Sequence, residues 1–323
     1  MTYPGTDEKP VFHEPVMVEE ALNYLKPKEK KNGIFVDATT STGGHAKEVV
    51  KRLGSGGTFI GLDLDIAALE TASDRLNGFA PEIKLYQANY KNMDLILEKT
   101  RTDAVDGILF DLGFSSFQLE DPERGFSFQE EGPLDMRMDP EEGITAEEIV
   151  NGYSFAELKN VILRYGEERW ADGIAKEIVK CRKKEKITST GQLVDIIRAA
   201  IPKGERKRRK THPATKTFQA LRIAVNDELS NLEEGLKTGF NCLKEDGIIV
   251  VISYHSLEDR RVKCFLNFKE KDCICPPDFP VCRCDKEKEI QILAQGVTPG
   301  ESEIRENPRA RSARLRAGKK VTT

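Results

Sequence analysis

The chain has 323 residues, 38% of them apolar and 32% charged, and a formal net charge of -4. That length suits one large or two smaller domains around an α/β core. No apolar run approaches the length of a transmembrane helix and the start, Met1 to Pro10, is polar without a signal segment, so a cytoplasmic protein with no membrane partner is expected. The seven cysteines are an odd number, which argues against a complete disulfide framework and for a reducing compartment.

In chain order, Val11 to Leu25 reads as a loop and a short helix. Ile34 to Asp37 is an apolar run closing on a carboxylate, predicted as a buried strand; the small-residue turn Thr39 to His45 then feeds a helix, Ala46 to Leu53. A second run, Thr58 to Leu62, closes on Asp63 and is followed by helix Ile66 to Leu76, with Asp65 where its cap belongs. Strand Ile83 to Ala88, with Asn89 and Tyr90 at its end, helix Met93 to Thr100 and strand Val105 to Leu112 continue the rhythm. Strands alternating with helices of this length mean parallel β-α-β units and a sheet covered on both faces.

Past Leu112 the rhythm stops. Gly113 to Pro140 is rich in Gly, Ser, Phe and acids without a sustained period and reads as an active-site loop. Ala146 to Val150, Phe155 to Tyr165, Glu167 to Arg182 and Thr190 to Ala200 are then predicted as four successive helices, with Ser154 and Thr188 where N-caps belong. The basic run Lys203, Arg206, Lys207, Arg208, Arg209 and Lys210 ends this insertion. A helix from Ala214 to Gly235, continuing towards Leu243, leads to an apolar run, Gly247 to Ile252, and a polar turn, S-Y-H-S-L-E-D-R. Two C-x-C pairs, a strand Glu289 to Leu293 and a basic tail from Arg309 to Lys320 complete the chain. The expected division is 1–140 and 213–323 for the two parts of the α/β domain, with an all-helical insertion at 141–212.

In open α/β sheets ligands bind beyond the carboxyl ends of the strands, where a glycine lets the backbone come close. Gly43, Gly44 and His45 stand at such an end. A dinucleotide site would carry G-x-G-x-x-G to cradle a pyrophosphate, and here Ser41 and Thr42 stand in place of the first glycines. Asp63, roughly 20 residues on, can accept both hydroxyls of a ribose. A ribose site without a pyrophosphate nest suggests S-adenosyl-L-methionine. Three function classes remain open on the residues alone: a methyltransferase, a nicotinamide oxidoreductase disfavoured by the missing glycine fingerprint, and a non-catalytic RNA-binding assembly factor.

Seven blocks in order, T-G-G-H (Thr42 to His45), D-L-G-F-S-S-F-Q-L (Asp111 to Leu119), R-G-F-S-F (Arg124 to Phe128), G-P-L-D-M-R-M-D (Gly132 to Asp139), A-T-K-T-F-Q-A-L-R-I (Ala214 to Ile223), S-Y-H-S-L-E-D-R (Ser253 to Arg260) and N-P-R-A-R-S-A-R-L-R (Asn307 to Arg316), make the chain resemble the bacterial 16S ribosomal RNA (cytosine-N4)-methyltransferase family, RsmH or MraW. The resemblance implies a class I methyltransferase fold, Rossmann-like with a mostly parallel sheet and an inserted all-helical domain. It implies transfer of a methyl group from S-adenosyl-L-methionine to the N4 amine of a cytosine in the decoding centre of 16S rRNA in the small ribosomal subunit; a homodimer is compatible with it. The cofactor contacts implied are Gly43, Gly44, His45, Asp63, Tyr90, Asp111 and Gln118, with Ser41 replacing a glycine of the family's turn and Tyr90 standing where Phe is commoner.

The remaining candidates rest on residue type. Phe114, Phe126 and Phe128 are candidates to stack the target base, since any base presents a π-face. Asp135 beside Arg137 would orient the exocyclic amine or form a local ion pair. The basic run and Arg309, Arg311, Arg314 and Arg316 of the tail have the clustered charge expected against a phosphate backbone. No metal is implied by the resemblance; Cys273, Cys275, Cys282 and Cys284 are the zinc candidates, although one residue between paired thiols is tighter than the usual two to four.

Overall fold

A computed structural model describes residues 15–209, 211–276 and 281–322. The polar start, the loop at 11–14, Lys210 and residues 277–280 between the cysteine pairs lie outside the described residues.

The elements are α1 (Val18–Leu25), β1 (Ile34–Asp37), α2 (Gly44–Val50), β2 (Thr58–Asp63), α3 (Ile66–Leu76), β3 (Glu82–Gln87), α4 (Met93–Lys99), β4 (Val105–Asp111), α5 (Ser116–Glu120), α6 (Ala146–Gly152), α7 (Phe155–Gly166), α8 (Ala171–Arg182), α9 (Thr190–Ala200), α10 (Lys203–Arg208), α11 (Thr215–Asn226), α12 (Glu228–Cys242), β5 (Leu243–Ser253), α13 (Ser256–Glu270), β6 (Ile290–Val297), α14 (Glu301–Glu306) and β7 (Arg314–Lys320), with short 3-10 turns between some of them. The sheet is seven-stranded in the order β3-β2-β1-β4-β5-β7-β6. β1 to β5 pair in parallel, and β7 runs antiparallel between β5 and β6. This is the Rossmann-like layout expected of a class I methyltransferase. Among the described residues no helix is long and apolar enough to cross a membrane.

Through period-2 alternation the central strands send side chains into cores on both sides of the sheet. Phe35, Phe59, Leu109, Ile248 and Val250 point into one core with α1 and α2. Their chain neighbours Val36, Ile60, Ile108, Phe110, Ile249 and Val251 point into the other, with α4, α12 and α13. A third core is built by α6 to α9, with Leu134 and Met136 from the preceding loop and Phe218 and Leu221 from α11.

Several expectations are corrected. The N-cap of α9 is Ser189 rather than Thr188, because the Ser189 hydroxyl accepts the Gln192 amide while the Gln192 side chain returns to the Ser189 amide. α8 begins at Ala171, since Glu167 takes a left-handed conformation (φ 47°) that ends α7. The single long helix after Ala214 is two, broken at Asp227 (φ 45°), a conformation that Asp tolerates better than most residues. The S-Y-H-S-L-E-D-R segment is not a turn but the start of α13, capped by His255 and Glu258. The basic tail forms a 3-10 turn, Pro308–Ser312, and then β7, an internal strand.

Candidate active site

The parallel strands β1, β2 and β4 end side by side on Asp37, Asp63 and Asp111, and β5 ends next to Tyr254. Three acids at adjacent strand ends must find protons, donors or ligands. Asp37 is buried and turns back to accept the Thr39 amide at 3.1 Å. Asp111 accepts the Tyr254 hydroxyl at 2.7 Å and lies 3.4 Å from His45 Nδ1, while its own amide donates to the Thr39 hydroxyl. Burial raises all three carboxyls, Asp37 and Asp111 to about 7 and Asp63 to about 6. Burial lowers His45, whose Nε2 lies 2.9 Å from the Val16 carbonyl.

Asp63 also explains the Ser41 departure. Ser41 itself takes the left-handed conformation (φ 48°), and its amide donates to Asp63 Oδ2 at 2.7 Å. The turn therefore closes without the first glycine, at the cost of a conformation that is roughly 1–2 kcal/mol unfavourable for a residue with a Cβ. Asp63 Oδ1 accepts the Asp65 amide at 3.0 Å, leaving each carboxylate oxygen further acceptor capacity.

A cavity of about 1250 Å³ runs along these strand ends. Gly44, His45, Asp63, Tyr90, Asp111 and Gln118 all line it. Gly43 does not; it is a left-handed residue (φ 78°) backed against α3, where a Cβ would come within 3.3 Å of Ala72. Tyr90 is fixed edge-on to Phe110 and lies over Gly235 of α12, where any Cβ would fall 2.4 Å from its ring. Gln118 faces the cavity with its amide already engaged, donating to Asp65 at 3.1 Å and accepting the Ser115 amide at 3.0 Å. Arg124 reaches the same Asp65 carboxylate at 2.7 Å.

The aromatic candidates separate. Phe114 lines the cavity and is 36% exposed, with the Arg222 guanidinium 4.7 Å from its ring centroid. Phe126 is buried against Phe114, with centroids 5.7 Å apart. Phe128 packs between His212 and Phe218 on the edge of the helical core. Asp135 and Arg137 form a two-pronged local ion pair at 2.8 and 2.9 Å, away from the cavity lining. Phe126 and Phe128 are thus engaged in packing and Asp135 in the ion pair, while Phe114 faces the cavity.

Residue type did not single out Arg222, Glu228 and Asn231, which the break at Asp227 brings to the cavity wall. Arg222 and Glu228 are both buried and meet at 2.7 and 2.9 Å. The Asn231 side-chain oxygen is buried without a partner among the described residues. The signal was present in the sequence as polar residues at 228 and 231 on the apolar face of a helix that also carries Leu232 and Gly235, a pattern that core packing alone does not favour.

The basic residues divide as well. Lys203, Lys207 and Arg208 of α10 are exposed, whereas Arg209 pairs with buried Glu168 at 2.7 and 2.8 Å. In the tail, Arg311 and Arg314 are exposed, Arg309 reaches Glu120, and Arg316 is buried against Asp259. Arg209 and Arg316 therefore drop out of the expected phosphate-binding set, because their charges are matched inside the protein.

The sequence model of the MraW methylase family matches residues 10–321. The ribosomal RNA small subunit methyltransferase H of Halothermothrix orenii is 49% identical over 310 residues, covering 96% of this chain and 98% of that protein. The proteins of the same name from Pelobacter propionicus and Carboxydothermus hydrogenoformans are 48% and 47% identical over 311 residues, each again covering 96% of this chain and 98% of its own length.

Proposed function

On the premise that this chain belongs to the MraW methylase family, we propose that it methylates the N4 amine of a cytosine in 16S ribosomal RNA, with S-adenosyl-L-methionine as donor. The observation that carries the reading in the structure is one cavity of about 1250 Å³ lined by Asp63, Tyr90, Phe114 and Arg222, with room for a nucleoside cofactor and a base together. The residues suit that cofactor: a strand-end carboxylate with acceptor capacity at Asp63, an aromatic ring at Tyr90, and the unpartnered acceptor of Asn231 for an N–H donor.

S-adenosylmethionine supplies a methyl group already activated by its sulfonium, so the protein has chiefly to hold methyl and amine in line. In this reading Asp63 accepts ribose hydroxyls, Tyr90 packs on the adenine, and Gly44, His45 and Asp111 shape the methionine end. Gln118 and Arg124, both bound to Asp65, hold the cavity wall in place. Phe114 contacts the target base, which must leave its stack to reach the cavity; an unpaired loop makes that cheaper. The division at 141–212, the cytoplasmic location, a small subunit as the form of the substrate, and a homodimer belong to the same proposal.

Small subunits from cells lacking the enzyme, incubated with labelled cofactor, should acquire label, and nucleoside mass spectrometry should find it on N4 of cytidine. Phe114→Ala should slow transfer by the equivalent of about 1–3 kcal/mol while leaving cofactor affinity nearly unchanged, because aromatic stacking on a base has that worth. Label on C5 or a ribose hydroxyl would refute the chemistry, and no label on any subunit intermediate would favour a non-catalytic assembly factor.

The exposed face of α10 gives an independent test. Replacing Lys203, Lys207 and Arg208 by Gln, with Arg209 left to hold Glu168, should weaken RNA binding and flatten its salt dependence by ~0.7 in log-log slope per lost phosphate contact. An unchanged slope would make α10 a solvated surface helix.

A further inference from the structure

We propose that Cys273, Cys275, Cys282 and Cys284 bind one zinc ion through four thiolates and so fasten the long connection between α13 and β6. The four Sγ atoms lie within 4.8 Å of one another. The separations are 3.4 Å for Cys273–Cys282, 3.5 Å for Cys282–Cys284, 3.8 Å for Cys273–Cys284 and 4.0 Å for Cys275–Cys282. A tetrahedron with Zn–S bonds of about 2.3 Å has edges of about 3.8 Å. The sulfurs therefore stand close to ligand spacing already, and well outside the ~2.05 Å of a disulfide; all four are free thiols.

The tight C-x-C spacing is met by the fold. Each pair belongs to its own arm of the connection, and the arms face each other, so that two ligands come from each side. Backbone amides point at the sulfurs: Ile274 donates to Cys284 and Arg283 to Cys275, both at 3.3 Å, and Cys275 donates to Cys273 at 3.4 Å. Such donors stabilise thiolate charge, and four thiolates on a divalent ion leave a net charge of -2 to be accommodated. On binding, four S–H protons pass to solvent as four Zn–S bonds form, with no change of oxidation state.

The connection also needs a fastener. It leaves α13 and returns to β6 at one place, where the Glu289 amide donates to the Lys269 carbonyl at 2.9 Å and the two side chains pair. The described residues between α13 and β6 form no helix or strand, and Ile274 and Val281 are 50% and 68% exposed. A long irregular segment with its apolar side chains outside has little packing to hold it. A metal crosslink supplies the missing constraint.

The full-length protein, purified under reducing conditions from cells grown with added zinc, should contain close to one zinc per chain by elemental analysis. Cys264→Ser, a change at an exposed thiol outside the cluster, should keep that content, and Cys275→Ser with Cys282→Ser should abolish it. Cys275→His, which puts an imidazole nitrogen in place of one thiolate, should retain metal and so separate lost ligation from lost folding. Cobalt substitution should give the strong visible absorption and thiolate charge-transfer bands of a tetrahedral four-sulfur site. Zinc-free protein whose cluster thiols react with iodoacetamide as fast as Cys264 would overturn the proposal, as would a mass showing two disulfides in the reduced preparation.

Discussion

Glu228→Ala should destabilise the protein by about 3–5 kcal/mol, the usual result of removing one partner from a buried ion pair. Arg222 and Glu228 sit on either side of the left-handed break at Asp227, both buried, and the guanidinium donates to both carboxylate oxygens. Without Glu228 the cation keeps the weaker field of Glu258, a carboxyl that burial raises but that His255 and Arg222 together hold below its usual value. That loss is a large part of the ~5–15 kcal/mol by which a domain is ordinarily stable. Replacing both partners, R222M with E228L, should recover most of it, because the unmatched charge is gone. Transfer should not recover, since the same guanidinium lies against Phe114 at the proposed base end of the cavity. Urea titrations of the single and double variants decide the matter: a single variant within ~1 kcal/mol of the parent would mean that water reaches the pair freely.

Asp63→Ala should weaken cofactor binding by about 1–3 kcal/mol, roughly 5- to 150-fold, as measured by calorimetry. The variant lacks the proposed charged acceptor of two hydroxyls, along with the anchor of the Ser41 turn. The same carboxyl predicts a pH dependence. Asp63 in the folded protein is raised to about 6, and Asp37 and Asp111 to about 7, from an ordinary 3.8. Since the carboxylate is the accepting form, affinity should fall as pH drops from 8 through this range. Stability of the cofactor-free protein runs the other way. Groups whose folded pKa is raised bind protons more strongly when folded, so their stabilisation is fully present below about 4 and is lost as pH rises through about 6 to 7. His45 opposes this, because burial lowers its pKa and its contribution is lost on acidification. Melting temperatures at pH 5.5 and 8 should therefore favour the acid side without cofactor and shift towards the neutral side with it; cofactor affinity independent of pH would remove Asp63 as the ribose acceptor.

Much of the α/β frame could be read from the chain. β1, β2 and α3 have the residues expected, Ile34–Asp37, Thr58–Asp63 and Ile66–Leu76, and β3 and β4 differ by one residue at their ends. The reason is physical: β1, β2 and β4 are buried on both faces, so nearly every residue is apolar, and each ends on an aspartate, whereas the half-exposed edge strand β3 ends on Gln87. The ligand end was legible on the same ground, since strand-end acids and a small-residue turn announce themselves locally. Gly44, Asp63, Tyr90 and Asp111 are indeed neighbours around one cavity.

What the tertiary structure alone decided depends on partners distant in sequence. β7 reads as a basic tail because four of its seven residues are charged, yet it lies between β5 and β6, with Arg316 neutralised by Asp259 from α13. α13 reads as a polar turn because much of its surface meets water; Leu257, Val262 and Leu266 reach the core only once the sheet is there to receive them. Residue type made Phe114, Phe126 and Phe128 equal, and packing set Phe126 against Phe114 and Phe128 against His212 and Phe218, with Phe114 lining the cavity. Arg209 was one cation in a run until Glu168, 41 positions earlier, claimed it. Local order thus follows from local side-chain pattern and burial, whereas the pairing of a charge, the facing of a ring and the meeting of four sulfurs require the whole chain to be folded.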